Sequence, residues 1–436
     1  MSTALTLEFS ARYTRRGDGS GASSGDVRLI LDADILGIKP THGEAQSYPL
    51  REVIDIIPGD YSLILITEGG GEIALSHLGR EYENFRRELT SRRSSLLLAD
   101  LLMEEPLVMG GLKGNLTHFY AGRSKTQSQS EMRLYQTALV IIPEIGTPMR
   151  VPYSDIDEII ESDYRLKIGT EYGDSFIFSQ LGRDLSPFKL NLEELRHNLS
   201  LAAQRLTKEL MPSADIASVS KLAILMREGR TARRRDIESL GSALWHELEQ
   251  HVAGSEAADE YAFLKTIGRA QDISIGIKRG LKKEESDYIW FLVPICSLDT
   301  RLPGNAVIME AISPDGESRA TYAFRLVSRR EYPSLSTDAA LQEATEKFLR
   351  DTNRALLAIN FRREPIYLSR DMLLRPQYAR YRYAVAAMPE LRSLRWSFIG
   401  RVMHHSPEQW QSDVMNLLTF NTSTDDDNAA WIRTAR

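Results

Sequence analysis

The chain has 436 residues, of which 42% are apolar and 26% are charged, and its formal net charge is −6. At about 100–200 residues per domain, this length predicts two to four domains. The composition is that of an ordinary globular protein and excludes a disordered or collagen-like chain. The negative charge argues against a protein that coats nucleic acid or anionic membrane over its whole surface. The single cysteine, Cys296, excludes a disulfide framework and a cysteine-based zinc site.

The first nine residues lack the basic and apolar regions of a signal peptide. The densest apolar stretch, residues 96–103, contains Asp100 and is far shorter than the roughly 20 residues of a membrane-spanning helix. We therefore expect a cytoplasmic protein without a transmembrane segment.

The strongest pattern is a repeat at a constant offset of 103 residues. Residues 29–99 align with 132–202 without a gap, and 24 of the 71 pairs are identical. Chance pairing at ordinary composition gives about four to five identities. The densest part aligns Ile56-Ile-Pro-Gly-Asp-Tyr-Ser-Leu63 with Ile159-Ile-Glu-Ser-Asp-Tyr-Arg-Leu166. The sequence therefore predicts a duplicated domain.

Each copy is predicted to consist of strands followed by one helix. Aliphatic and β-branched residues predict strands in the first copy at 27–38, 53–57, 63–67 and 73–75. The second copy repeats them at 132–142, 156–160, 166–170 and 176–178. After Gly79 and Gly182 the apolar spacing becomes helical and includes Phe85 and Phe188. Charged residues fill the other face of the first helix.

About 100 residues of antiparallel strands closed by one amphipathic helix resemble the pleckstrin-homology-like (PH-like) superfold. The two-copy pattern is also similar to uncharacterised bacterial proteins of this build. The resemblance covers residues 1 to about 211 and implies two tandem units, each a bent antiparallel sheet with a C-terminal helix. Most domains of this superfold are protein-interaction modules.

Some members of the superfold bind phosphoinositides through basic residues around the loop that joins the first two strands. The resemblance makes Arg15, Arg16, Arg123 and Lys125 candidate lipid or anion ligands. Acidic residues interrupt both clusters, and the loops are rich in glycine and serine. These features favour a solvated, flexible loop instead.

Helical spacing continues through a predicted connector, and a new strand pattern follows. Strands are predicted at 273–277, 288–295, 306–312 and 320–327, with a helix at 338–359. The run from Trp290 to Cys296 is apolar throughout, so we expect both of its faces to be covered. The predicted fold class is α+β, with a four-stranded antiparallel meander and several helices in the C-terminal domain. The predicted parts are PH-like repeats at 1–108 and 109–211, a helical connector at 212–258, the C-terminal domain at 259–420 and a disordered tail at 421–436.

Residues 360–405 contain nine arginines, no lysine and three acids, with aromatic residues between the arginines. Guanidinium groups bind carboxylate and phosphate bidentately and stack on aromatic rings. One interpretation is a site for an anionic partner, nucleic acid included, whose candidate ligands are Arg380, Arg382, Arg392, Arg395 and Arg401. The alternative, which we favour, is that these arginines stack on their own tyrosines and pair with acids of the repeats.

The sequence contains no phosphate-binding glycine loop, nucleophile elbow or metal-ligand spacing. We therefore expect no catalytic activity, no cofactor and no metal site. The leading hypothesis is a non-catalytic cytoplasmic scaffold or interaction protein with protein partners. The alternatives are binding of an anionic ligand or nucleic acid by residues 360–405, and binding of anionic lipid headgroups by the repeats. The partners, the oligomeric state and the relation of the C-terminal domain to the repeats stay open.

Overall fold

The computed structural model describes residues 5–16, 23–67, 70–101, 105–120, 123–144, 147–279, 287–299, 302–312, 319–327 and 337–423. The protein is mixed α+β, and its described sheets are antiparallel. The chain forms two compact units: Met1–Arg196 with Leu373–Met388, and His197–Met372 with Pro389–Arg436. Within the described residues, every helix is too short or too polar to cross a bilayer.

The first unit contains two seven-stranded sheets with the same topology. The first sheet comprises β1 (Leu7–Arg16), β2 (Ser23–Leu31), β3 (Ile35–Pro40), β4 (Gln46–Pro49), β5 (Val53–Gly59), β6 (Ser62–Thr67) and β7 (Glu72–Ser76), followed by α1 (Tyr82–Asp100). The second comprises β8 (Leu107–Tyr120), β9 (Arg123–Tyr135), β10 (Ala138–Pro143), β11 (Met149–Pro152), β12 (Ile156–Ser162), β13 (Arg165–Thr170) and β14 (Ser175–Ser179), followed by α2 (Leu185–Leu210). The strand orders are β4-β3-β2-β1-β7-β6-β5 and β11-β10-β9-β8-β14-β13-β12.

The offset of 103 residues recurs in the structure. From β3 to β7, each element begins and ends 103 residues before its counterpart in the second sheet, and α1 and α2 begin at the same offset. Identical core residues occupy equivalent positions without exposure: Leu36 and Leu139, Leu63 and Leu166, Phe85 and Phe188, Leu89 and Leu192. The phenylalanines come from the helices, so each helix buries an apolar face against its own sheet.

The predicted strands 27–38 and 132–142 are each wrong as single strands. A turn between β2 and β3 divides the first, and Asp32 N donates to Ile35 O at 2.9 Å across it. Residues 136–137 divide the second, between β9 and β10. Both runs are largely aliphatic, so apolar content alone did not reveal the turns.

A matched arginine ties each helix to the first residues of an edge strand. Arg93 of α1 has no exposure, and its Nε and Nη2 donate to the carbonyls of Val53 and Ile54 at 2.7 and 2.6 Å. Its repeat counterpart Arg196 donates to the carbonyl of Ile156 at 2.7 Å. Burial lowers the pKa of Arg93, because a charged guanidinium is costly to remove from water.

The second unit is built on one six-stranded sheet of order β15-β16-β17-β18-β19-β20. Its strands are β15 (Ala232–Arg233), β16 (Ser274–Lys278), β17 (Tyr288–Ile295), β18 (Ala306–Ile312), β19 (Arg319–Arg325) and β20 (Phe398–Val402). Its helices after α2 are α3 (Ile216–Leu225), α4 (Arg234–Glu238), α5 (Ser242–Ala253), α6 (Ala258–Ile267), α7 (Asp338–Ala358), α8 (Glu364–Tyr367), α9 (Arg370–Leu373, which ends at the unit boundary), α11 (Pro389–Ser397) and α12 (Pro407–Ser423). The predicted meander is therefore incomplete, because β15 and β20 extend it at its two edges.

The central strands β17 and β18 are covered on both faces, as the apolar run from Trp290 predicts. On one face Phe291 packs against Tyr261 of α6, with ring centroids 5.1 Å apart. On the other face the ring centroid of Trp290 lies 5.7 Å from that of Phe361.

One helix from the C-terminal half of the chain, α10 (Ala379–Ala387), belongs to the first unit. Its Tyr383 is buried with Leu97 of α1 and with Leu101, the residue that follows α1. The predicted domain 259–420 therefore does not coincide with a compact unit, because residues 373–388 belong to the first unit. The predicted second repeat ends at residue 211, whereas the first unit ends at Arg196, within α2. The cause is a long-range contact that local sequence patterns do not encode.

The predicted disordered tail begins too early. Residues 421–423 complete α12, and Asn421 is buried, with its side-chain amide donating to the carbonyls of Gly304 and Asn305 at 2.8 and 3.0 Å. The remainder of that prediction, 424–436, lies outside the described residues.

Candidate functional site: a polar cleft between the two repeats

The five arginines predicted to form an anion site are divided between the units. In the first unit, Arg380 is exposed and lies 4.9 Å from the ring centroid of Tyr381. Arg382 is mostly buried, and its Nη2 lies 2.8 Å from Oε1 of Glu52 in the first repeat. These two side chains thus make the kinds of internal contact that the alternative interpretation describes.

The other three arginines belong to the second unit. Arg395 is 5% exposed and donates to the carbonyls of residues 365, 366 and 368 at 2.6, 3.3 and 2.8 Å. Burial lowers its pKa to about 10. Arg401 is exposed and stacks on Tyr367, with 4.7 Å between the guanidinium carbon and the ring centroid. Arg392 is exposed. Arg395 is therefore engaged with backbone inside its own unit.

The candidate lipid ligands lie at the end of β1 in the first repeat and at the start of β9 in the second. Arg15 is half-buried and Arg16 is exposed at the end of β1. Arg123 and Lys125 belong to the backbone of β9, where they pair with Tyr120 and His118 of β8. The side chains of Arg123 and Lys125 lie outside the described residues, as do residues 17–22.

A polar cleft of about 310 Å³ lies between the two repeats, within the first unit. One wall is a face of α1, and the other is formed by β8, β9 and β10 of the second sheet. We call it the inter-repeat cleft and define it by Arg86, Arg87, Thr90, Ser91, Ser94, Ser95, Leu98, Lys113, Gln129, Ser130, Glu131, Arg133, Ile142, Pro143 and Glu144. Volumes of roughly 300–1,000 Å³ are typical of small-molecule sites.

The spacing of residues on α1 explains how this wall forms. Arg86, Thr90, Ser94 and Leu98 are four residues apart and therefore share one face of the helix. Leu98 packs against apolar residues of the second sheet, among them Val140, which fixes the helix against that sheet. The helix thus buries Phe85 in its own repeat while its hydroxyl-rich face borders the second repeat.

Four polar atoms that line the cleft are buried and have no hydrogen-bond partner among the described residues. They are Arg86 Nε, Thr90 Oγ1, Ser94 Oγ and Ser130 Oγ. Thr90, Ser94 and Ser130 are 6%, 5% and 2% exposed. A hydroxyl in a helix can bond the carbonyl four residues earlier, as Ser95 does at 2.9 Å, but Thr90 and Ser94 do not. Each such unsatisfied group costs roughly 1–3 kcal/mol.

The charges of the cleft favour an anion. Its lining has four cationic side chains and two acidic ones. Glu144 lies 3.0 Å from Arg86 Nη2, and Glu131 lies 2.6 Å from Arg133 Nε. Both acids are thereby paired with cations of the lining. Arg87 and Lys113 are both exposed at its rim. Arg87 Nη2 donates to Asn84 Oδ1 at 3.0 Å, and Arg87 Nε lies 4.0 Å from Oε1 of Glu88.

A second feature shared by both repeats is an exposed aromatic turn beside an exposed isoleucine. Tyr61 and Tyr164 are 70% and 90% exposed, and Ile57 and Ile160 are 43% and 45% exposed. The second pair has the same residue types as the first and lies 103 residues after it. Ile57 and Ile160 lie on β5 and β12, each of which is an edge strand of its sheet, and Tyr61 and Tyr164 lie in the turns that follow these strands. We call these surfaces the Ile–Tyr edges.

A polar cluster in the second unit joins residues that are far apart in the sequence. Glu310 has no exposure, accepts from Thr321 Oγ1 at 2.5 Å and lies 3.3 Å from His404 Nε2. Trp410 Nε1 donates to Thr321 Oγ1 at 2.6 Å. A substrate cannot reach the fully buried carboxylate without movement of its surroundings. Within the part of the chain that the structure describes, no cluster of His, Cys, Asp and Glu could hold a metal ion.

Sequence reasoning missed the inter-repeat cleft, although α1 contains a signal. Serine and threonine are less favourable than alanine or leucine in the interior of a helix, because their hydroxyls compete for backbone hydrogen bonds. Their recurrence at Thr90 and Ser94, one turn apart, distinguished this face from an ordinary charged surface. The opposite wall comes from the second repeat and could not be assigned without the fold.

No family model matches the chain, and no curated protein matches it. Among solved structures, it is similar to the C-terminal domain of an unknown protein from Leishmania infantum, with 13% identity over 23% of this chain and 91% of that one, and a TM-score of 0.19. It is also similar to the Spt16D Pob3N heterodimer, with 15% identity over 38% of this chain and 84% of that one, and a TM-score of 0.17. These similarities carry no argument about function.

Proposed function

We propose that the protein is a non-catalytic interaction protein whose two repeats are PH-like domains that bind an extended, basic peptide segment. The observation that carries this proposal is the retention of the same exposed Ile–Tyr edge in both repeats. Exposed apolar side chains do not stabilise a core, so their identity in two diverged copies is explained by a shared binding role.

Backbone geometry strengthens this argument. Tyr61 and Tyr164 have φ angles of +49° and +58°, in the left-handed region where bulky residues are strained. The strain is of order 1–2 kcal/mol per residue. Glycine or asparagine would fit such a hairpin turn without this cost. Both copies nevertheless have tyrosine there, which supports a function for the exposed ring.

Position and charge indicate the kind of partner. An edge strand presents backbone donors and acceptors that can pair with an added extended segment. The edges also carry acids: Asp60 beside Tyr61, and Asp157, Glu161 and Asp163 near Tyr164, all of them exposed. A partner strand with alternating apolar and basic side chains would complement both features.

The test uses a fluorescent peptide of alternating lysine and valine and the full-length protein. We expect binding that weakens as salt increases, because exposed charges are screened. The double variant Tyr61→Gly/Tyr164→Gly should lose most of this binding. Its melting temperature should stay equal or increase, because glycine relieves the left-handed strain.

Tyr120→Ser is the matched control, since Tyr120 is an exposed tyrosine away from the two edges. It should bind the peptide as the wild type does. Equal binding by the wild type and the double glycine variant would refute the proposal. A peptide in which glutamate replaces lysine should bind weakly, and equal affinity for it would contradict the role of charge.

A further inference from the structure

The inter-repeat cleft goes beyond this peptide-binding role, because it lies on α1 and β8–β10 and not on the Ile–Tyr edges. We propose that it binds a small, hydroxylated phosphate ester of the size of a sugar phosphate. The hydroxyls of Thr90, Ser94 and Ser130 are buried and have no hydrogen-bond partner among the described residues. Buried polar groups are normally hydrogen-bonded, and a bound ligand would supply the missing partners. A ligand that carries its own hydroxyls supplies both donors and acceptors to them.

The cations at the cleft bind the phosphate group. Arg87 and Lys113 are exposed at its rim, one on each wall. Arg86 Nη2 donates to Glu83 and Glu144, and its buried Nε–H has no hydrogen-bond partner among the residues that the structure describes. Guanidinium and ammonium groups bind phosphate strongly through charge-assisted hydrogen bonds. The acids Glu131 and Glu144 are each held by an arginine and leave the lining net positive.

Ligand size follows from the volume of the cleft. About 310 Å³ lies at the small end of the range for metabolite sites. Because the two walls belong to different repeats, the ligand contacts both of them. Binding should therefore stabilise the pairing of the repeats and raise the melting temperature of the first unit.

The experiment measures binding by calorimetry and by melting temperature with the full-length protein. The probes are glucose 6-phosphate, ribose 5-phosphate and glycerol 3-phosphate, with inorganic phosphate and glucose as partial ligands. We expect at least one ester to bind more tightly than either partial ligand. The variant Thr90→Val/Ser94→Ala should weaken that ester about thirtyfold, which corresponds to the loss of two hydrogen bonds.

Thr419→Val is the matched control, because the Thr419 hydroxyl on α12 is already bonded to the Met415 carbonyl and lies outside the cleft lining. It should leave the affinity unchanged. Arg87→Ala/Lys113→Ala should weaken the esters and inorganic phosphate alike. Vesicles containing phosphatidylinositol 4-phosphate test a lipid source of the same chemistry. Stronger binding to vesicles than to the free esters, with the same variant sensitivity, assigns the ester to a lipid headgroup.

A melting experiment without ligand separates a binding role from a structural one. If the hydroxyls of Thr90 and Ser94 are unsatisfied, Thr90→Val/Ser94→Ala should melt at the wild-type temperature or above it. A clear decrease would show that these hydroxyls stabilise the fold and would overturn the proposal. Failure of every ester and of the vesicles to bind, or binding that the hydroxyl variant leaves unchanged, would overturn it as well. These outcomes are independent of peptide binding at the Ile–Tyr edges.

Discussion

Replacing Arg93 by methionine tests how α1 holds the edge strand β5. Arg93 is fully buried and donates to the carbonyls of Val53 and Ile54 at 2.7 and 2.6 Å. A hydrogen bond from a charged group contributes about 1.5–3 kcal/mol, so two contribute about 3–6 kcal/mol. Methionine avoids part of this loss, because it does not incur the desolvation cost of a buried guanidinium. We expect a net loss of about 2–4 kcal/mol in the free energy of unfolding.

The duplicated chain supplies a matched comparison. Arg196 occupies the equivalent position on α2, is only partly buried and donates to the carbonyl of Ile156 at 2.7 Å. Arg196→Met should therefore cost about 1 kcal/mol. The difference between the two variants measures the effect of burial at one structural position.

The assay follows melting by far-UV circular dichroism and by tryptophan fluorescence. All five tryptophans lie outside Met1–Arg196 and Leu373–Met388, so fluorescence reports only on the second unit. At about 2–4 °C per kcal/mol for a unit of this size, Arg93→Met should lower the circular-dichroism transition by about 4–16 °C. Equal shifts for Arg93→Met and Arg196→Met, or no shift for Arg93→Met, would refute the reasoning.

Three further predictions concern buried groups. Tyr383→Ala should destabilise the first unit by about 3 kcal/mol, because it removes the buried ring that packs on Leu97 and Leu101. A thermal melt measures this loss, and an unchanged melting temperature would contradict the docking of α10. Arg395→Met should destabilise the second unit by about 3 kcal/mol, because it leaves three carbonyls without their donor. The control Arg350→Met, at an exposed position, should change stability by less than about 0.5 kcal/mol. Urea unfolding followed by tryptophan fluorescence measures both variants. Burial alone would raise the pKa of Glu105, but Arg150 and Thr137 outweigh it and hold the pKa below its ordinary value, so the wild type should lose stability as pH falls below about 4.3. Glu105→Gln should be less stable at neutral pH and lack this part of the acid dependence, and identical pH profiles for the two proteins would exclude the role of Glu105.

Local patterns predicted the elements that local physics determines. Buried phenylalanine and leucine at helical spacing identified α1 and α2, and the continuous apolar run from Trp290 predicted a strand covered on both faces. The split of residues 27–38 into β2 and β3 was missed, because a short turn inside an aliphatic run leaves little trace in composition. Strand β20 was missed because Phe398–Val402 lies in an arginine-rich segment whose neighbours are helical.

Contacts between distant residues determined what the sequence could not predict. Arg382 meets Glu52 across 330 positions, and no local pattern indicates which acid an arginine will contact. The inter-repeat cleft likewise depends on packing α1 of one repeat against β8–β10 of the next. Its hydroxyl residues were visible in the sequence, but their burial was not.

The placement of α10 has a consequence for synthesis on the ribosome. About 190 residues separate Arg196 from Met388, and most of them belong to the second unit. At about 5–20 residues per second, the first unit waits roughly 10–40 s for its last helix to be synthesised. During that interval Tyr383 does not cover Leu97 and Leu101. The exposed apolar surface can then bind a chaperone or associate with another chain. Any fragment that ends before residue 373 retains that surface permanently, so a shortened form needs α10 supplied as a separate peptide.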